Sequence, residues 1–221
     1  MNKTIHYIDW GLIEYNDAWN AQEKLFSATI QHKINQEQTE NNLVFCEHPH
    51  VYTLGKSGDE HNLLLNYIQL QAKNAQFVQT NRGGDITYHG PGQIVGYPIF
   101  DLANFNIGLK EYIHKLEESI IELLKMYNLP SERLEGATGV WLDVGKKNTR
   151  KICAIGVRSS RYVTMHGFAL NVNTDLGYFN HINPCGFTDK GVTSLAAELG
   201  FALEMDVVKR NLREIIFQQF S

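Results

Sequence analysis

The sequence predicts a single α+β domain built on a mixed sheet, and three observations carry that expectation. Apolar runs of strand length are interspersed irregularly with longer segments of helical periodicity, which fits neither an all-β chain nor a strict βαβ alternation. The 221 residues suffice for one substantial core, and no repeat, linker or low-complexity segment divides them, so residues 1–221 are expected to form one domain. Hydrophobic residues make up 43% and charged residues 20%, an ordinary globular composition.

In chain order, Asp17 is the expected cap of a first helix, with Ala18, Trp19, Gln22, Leu25, Phe26 and Ile30 at helical spacing up to the polar run 35–42. Residues 43–47 and 51–55 read as short strands separated by Pro49. A helix is expected over 62–71, then a strand over 77–80 and a short extended run, Ile86 to Tyr88. Residues 93–102 are nearly continuous apolar sequence and predict a buried strand, in which Pro98 implies a bulge or an edge. Residues 108–129 follow the 3.6 period most clearly and must stop before Pro130. A hairpin follows, 139–144 and 151–158 about a polar turn, then a strand over 162–172 broken at His166-Gly167. Residues 173–188 read as a long loop of the kind that carries function, and helices near 193–199 and 206–220 close the chain.

A net charge of −4 supplies no global field for nucleic acid. The first nine residues lack a basic start followed by an apolar run, and no stretch approaches membrane-spanning length, so a cytoplasmic protein without a membrane partner is expected. The three cysteines, Cys46, Cys153 and Cys185, lie far apart, which argues against a disulfide framework and a structural zinc site but leaves a catalytic thiol open. His48 and His50 would share a face of a strand, yet Pro49 between them and the lack of a third ligand nearby argue against a metal.

One stretch concentrates more special residues than a turn needs: Arg82, Gly83, Gly84, Asp85, Ile86, Thr87, Tyr88, His89, Gly90, Pro91, Gly92 and Gln93. Its glycines allow positive φ and close approach of another molecule to the backbone, although a tight hairpin would use them for geometry alone. A second candidate is Cys185, set between Pro184 and Gly186 in a loop, where Cys46 and Cys153 sit in apolar strand patterns and read as core. A thiol with a pKa near its usual value of about 8.5 is only slightly ionised at neutral pH and needs an activator. Lys151, at the head of an apolar strand, is the best-placed lysine, and its plain alternative is a turn residue beside Lys146, Lys147 and Arg150. His89 and His166 each precede a glycine and suit either a general base or a hydrogen-bonding turn residue. No serine nucleophile elbow or P-loop occurs.

Four blocks taken together, residues 82–93, 151–157, 166–172 and 183–186, closely resemble the lipoyl(octanoyl) transferase family. The resemblance implies a single domain similar to the biotin and lipoate protein ligase catalytic fold. It implies transfer of octanoyl from octanoyl-acyl carrier protein to a lysine of lipoyl domains, those of 2-oxoacid dehydrogenase E2 subunits and the glycine cleavage H protein, with no cofactor. Cys185 matches the thioester-forming nucleophile and Lys151 the lysine that lowers its pKa. Arg82 to His89, then Ala154, Ile155 and Gly156, then Gly167, Phe168 and Ala169, match the segments that line the substrate site. A basic rim of Lys146, Lys147, Arg150, Arg158 and Arg161 is the expected means of steering acidic protein partners.

Overall fold

The computed structural model describes residues 2–183 and 190–221. In chain order its strands are β1 (Ile5–Leu12), β2 (Asn41–Glu47), β3 (Val51–Leu54), β4 (Gln76–Gln79), β5 (Ile86–His89), β6 (Gln93–Ile99), β7 (Glu132–Leu134), β8 (Ala137–Leu142), β9 (Arg150–Ser160), β10 (Val163–Asn171) and β11 (Gly191–Val192). The helices are α1 (Tyr15–Ile34), α2 (Tyr67–Ala72), α3 (Leu109–Met126), α4 (Leu195–Leu199) and α5 (Met205–Gln219). Among these residues the large sheet has the order β1-β2-β6-β10-β9-β8-β7, with β11 parallel beside β9, and a small sheet has the order β4-β3-β5. The mixed parallel and antiparallel pairing bears out the expected fold class.

Alternation along the central strands builds two cores. Leu43, Phe45, Ile94, Phe168 and Leu170 point to one face, where α3 and α5 bring Leu116, Ile120, Leu123, Leu124, Leu212 and Ile216. Val44, Cys46, Val95, Tyr97 and Ala169 point to the other, where α1 brings Ala18. Covering both faces explains why β6 and β10 are buried at every position and read as unbroken apolar runs. The small sheet has its own cluster, with Tyr52, Leu54, Ile86 and Tyr88 under Leu70 and Ile182.

Several boundaries differ from the sequence expectation. Helix α1 starts two residues before Asp17; Glu14 precedes it without a side-chain cap, and Asp17 lies in the first turn, where a carboxylate favours the helix dipole. The helix expected over 62–71 shrinks to α2, capped by the reciprocal Asn66 and Gln69 bonds. Strands β1 and β7 were not expected. Pro98 marks neither an edge nor a bulge: β6 lies between β2 and β10 and pairs with β2 in regular register through Pro98 opposite Leu43. The irregularity falls on the partner strand: continuing the register from Phe168 opposite Gly96 sets His166 opposite Pro98, and His166 has φ +57°. Strand β10 is therefore continuous through His166-Gly167 rather than broken there.

Candidate active site

A cavity of about 510 Å³ lies between the two sheets. Its small-sheet wall is the segment 82–89. The segment 82–85 is zipped to 55–57 by Gly55 N–H to Asp85 O (3.2 Å), Lys56 N–H to Arg82 O (3.0 Å) and Ser57 N–H to Gly84 O (3.2 Å). Gly83 N–H reaches across to Val157 O of β9 at 2.9 Å. The glycines earn their positions geometrically: Gly84 has φ +85°, and a Cβ on Gly156 would stand 2.8 Å from Gly83 O. Arg82 is buried and inward-facing, its guanidinium donating to Thr53 O (2.6 Å), Thr53 Oγ1 (2.9 Å) and Gly83 O (3.0 Å).

His89 is held on both ring nitrogens, Nδ1 at 2.8 Å from Gln93 Oε1 and Nε2 at 3.2 Å from the Thr53 hydroxyl, and it stacks on Tyr15. An acceptor on Nδ1 requires Nδ1–H, so Nε2 receives the hydroxyl proton of Thr53, whose oxygen in turn accepts from Arg82. Burial first, then the nearby His48 and the Arg82 charge, push the His89 pKa well below its ordinary value. Both nitrogens being engaged, His89 orients its neighbours rather than offering a base. From Gln93 the polar chain continues: Nε2 donates to Asn171 Oδ1 (2.9 Å), Asn171 Nδ2 to Thr193 O (3.0 Å), and Thr193 N–H to Lys151 O (2.9 Å).

Lys151 sits in β9 on the cavity wall, its Nζ 4.5 Å from the centroid of the Trp141 ring. Lys190, Gly191 and Val192 also line the cavity, and Val192 pairs with Lys151. Cys185 lies outside the described residues, with Pro184 and Gly186. Cys46 and Cys153 are buried, as expected of core cysteines, and burial pushes both thiols up.

Of the other expected substrate residues, Gly83, Gly84, Asp85, Ile86, Thr87, Ala154, Ile155, Gly156, Gly167, Phe168 and Ala169 all border the cavity together with Arg82 and His89. Tyr88 does not. Strand alternation turns its ring away, into a stack with Tyr178 and a 2.6 Å bond from its hydroxyl to His50 Nδ1. Tyr15, Tyr97, Trp141 and Asn171 are lining residues that the sequence reading missed. Asn171 had a signal, a polar residue inside an apolar strand; Tyr15 and Trp141 looked like ordinary core.

His48 and His50 are not a pair. His48 bonds Ile13 O and the Tyr97 hydroxyl, both at 2.7 Å, in a separate environment from His50. Among the described residues no cluster of three or more His, Cys, Asp or Glu could hold a metal. The rim is also less basic than its sequence: Arg150 is paired with Asp143 and Glu198, and Arg158 with Glu23.

Residues 14–217 match the family model of the lipoyl protein ligase A/B catalytic domain. The octanoyltransferase of Bacteroides fragilis is 58% identical over 209 residues, covering 94% of this chain and 95% of that protein. A bipartite lipoate protein ligase of Thermoplasma acidophilum superposes with a TM-score of 0.70 at 15% identity, over 98% of this chain and 84% of that one. Biotin protein ligase of Aquifex aeolicus superposes with a TM-score of 0.52 at 13% identity, over 99% and 71%, a likeness of fold alone. With a matched segment spanning nearly its whole length, the chain belongs to the lipoyl protein ligase A/B catalytic domain family.

Proposed function

We propose that this chain is an octanoyltransferase of protein lipoylation, acting as one catalytic domain in the cytoplasm. It takes octanoyl from octanoyl-acyl carrier protein onto Cys185 and passes it to a lysine of a lipoyl domain. The acceptors are the E2 subunits of 2-oxoacid dehydrogenases and the glycine cleavage H protein. The observation that carries this reading is the placement of Lys151: a cation on the cavity wall, paired with Val192 of β11, the strand that follows residues 184–189. Among the described residues no helix is long and apolar enough to cross a membrane.

The chemistry needs little beyond positioning. Attack of the Cys185 thiolate on the carrier thioester forms one thioester as it breaks another, a nearly balanced exchange. Attack by the acceptor amine then forms an amide and releases the thiolate, which runs downhill without ATP. Lys151 favours the Cys185 thiolate, gives its proton to the departing carrier thiolate, and, then neutral, takes up the proton that the attacking amine loses as the Cys185 thiolate is released. Segments 82–89, 154–156 and 167–169 hold the acyl chain. The backbone N–H groups beside the glycines are the donors available to a developing oxyanion.

Incubation with octanoyl-acyl carrier protein in the absence of ATP is expected to add one octanoyl mass to the intact protein, mapped to Cys185 by peptide analysis. A Cys185→Ala protein that octanoylates a lipoyl domain at the normal rate would sink the mechanism. An absolute requirement for ATP would replace it with adenylate chemistry.

A further inference from the structure

The ladder between β8 and β9 is irregular beside Lys151, and the irregularity decides which way that side chain points. Val140 pairs with Cys153, but Trp141 pairs with Lys151 and Leu142 with Arg150, so the register slips by one with Ile152 as the extra residue of β9. Opposite residues of an antiparallel pair share a face. Val140, Leu142, Ile152 and Cys153 lie in the core beneath α3, whereas Trp141 lies on the cavity wall. Continued from Cys153 without the slip, the register would set Lys151 opposite Leu142, in that core. With the slip, Lys151 stands opposite Trp141 and borders the cavity, a re-aiming that a β-bulge beside a site provides.

Strand β8 changes register against its other neighbour at the same point. Leu134 of β7 pairs with Ala137 but Glu132 with Trp141, so Arg133 and Gly139 both fall inside the shift. Gly139 has φ +125°, and a Cβ there would stand 2.5 Å from Cys153 O and 3.6 Å from Lys151 Cε, so the lysine side chain runs close past this glycine. The N–H of Gly139 donates to Glu117 Oε1 at 3.0 Å, and Arg133 donates from Nε to Glu117 Oε2 at 2.9 Å. Glu117 belongs to α3, is buried, and does not border the cavity. A carboxylate is costly to bury and persists where its oxygens are bonded. Here each oxygen is committed to one of the two irregular strands.

Taking the acyl-transfer reading as its basis, we propose that Glu117 is a positioning residue of the active site: its carboxylate pins the slip in β8 and so keeps the Lys151 side chain turned into the cavity. The action runs through the backbone, from Glu117 to the Gly139 N–H and from the register of β8 to the face that Lys151 occupies. What the role demands of the side chain is reach, an acceptor oxygen at the distance of Gly139. Its charge is the lesser requirement, because Arg133 has a second carboxylate in Glu118, whose Oε2 lies 2.7 Å from its Nη2.

Two variants of the full chain separate reach from charge. Glu117→Gln keeps an oxygen at the length Gly139 needs, whereas Glu117→Asp keeps the charge and withdraws the oxygen by about 1.5 Å, one C–C bond. The readout is the pH profile of iodoacetamide alkylation of Cys185, taken beside that of Lys151→Met, together with kcat and KM for octanoyl transfer. Glu117→Gln is expected to hold the wild-type profile. Glu117→Asp is expected to move the midpoint to higher pH by at least half the shift of Lys151→Met, and to lower kcat more than it changes KM. In the Lys151→Met background it is expected to add no further shift, because it acts through that lysine. Should Glu117→Asp not fold, Glu117→Leu paired with Arg133→Met, which leaves no buried charge without its partner, carries the same expectation. A wild-type profile in Glu117→Asp, or a shift in Glu117→Gln alone, would overturn the inference, and so would a shift that persists in full without Lys151. If Lys151→Met moves the profile and Glu117→Asp does not, this inference falls by itself. If Lys151→Met leaves the profile in place, the role of Lys151 in acyl transfer falls and this inference with it.

Discussion

The residue on which the proposed chemistry turns is Lys151. Its Nζ rests over the Trp141 ring, an arrangement that keeps a cation at the cavity wall. A positive charge near a thiol stabilises the thiolate, so its removal raises the thiol pKa. Lys151→Met is therefore expected to move the midpoint of the iodoacetamide rate profile of Cys185 to higher pH, by about one unit or more. An unshifted profile would take Lys151 out of that role. The sequence made Lys151 legible as a charge heading an apolar strand, and Cys185 as a thiol between Pro and Gly. It did not make Tyr15 legible, because an aromatic on the buried stripe of an amphipathic helix has the same pattern whether it meets core or cavity. Only the parallel stack with His89, at 5.8 Å between ring centres, distinguishes it.

At the scale of elements, the cavity depends on how closely the 82–85 segment lies on β9. Gly156 makes that approach possible: an added Cβ would meet Gly83 O at 2.8 Å and Arg82 Cδ at 3.3 Å. Gly156→Ala must lift the segment and strain the Gly83 to Val157 bond, a misfit costing about 1–3 kcal/mol. The expected outcome is a kcat/KM for octanoyl transfer reduced at least tenfold, with the larger part in KM because the proposed acyl wall moves. A variant with wild-type KM would show that the segment does not bound the bound acyl chain. Such glycines were readable as close approaches, but not what they approach. Long helices such as α3 were placed within a few residues because their period is long and consistent. Strand β1 escaped notice because only one side of it pairs, and its half-exposed face dilutes the apolar signal. Pro98 misled because a proline in a strand suggests an edge, whereas β6 tolerates it between two neighbours with the accommodation displaced to His166.

Among the described residues three histidines, His48, His89 and His166, are buried and neutral, and burial also lowers the pKa of the less buried His50 and His181, which gives the protein a pH dependence with a definite sign. His48 is pushed down to about 4 and His166 to about 3, chiefly by burial, and His89 well below its ordinary value. In the unfolded chain each titrates near 6.5. Above that pH neither state binds the protons and the histidines contribute nothing to the dependence. Below it the unfolded chain takes up protons that the folded one refuses, so stability falls as pH falls, by up to about 1.4 kcal/mol per unit for each group. The carboxylates held low by ion pairs, Glu118, Asp143 and Glu198, give up their contribution only below about pH 4.5 and so do not mask the effect. Between pH 7 and pH 5 the three histidines together are expected to remove about 5 kcal/mol, a large share of a typical domain's 5–15 kcal/mol. Urea unfolding midpoints at pH 7, 6 and 5 measure this directly, and the midpoint is expected to drop at each step. His48→Gln, which removes one of the three titrating groups, is expected to flatten the slope by about a third. A midpoint constant from pH 7 to 5 would mean that these buried histidines take up protons in the folded state as readily as in the unfolded chain.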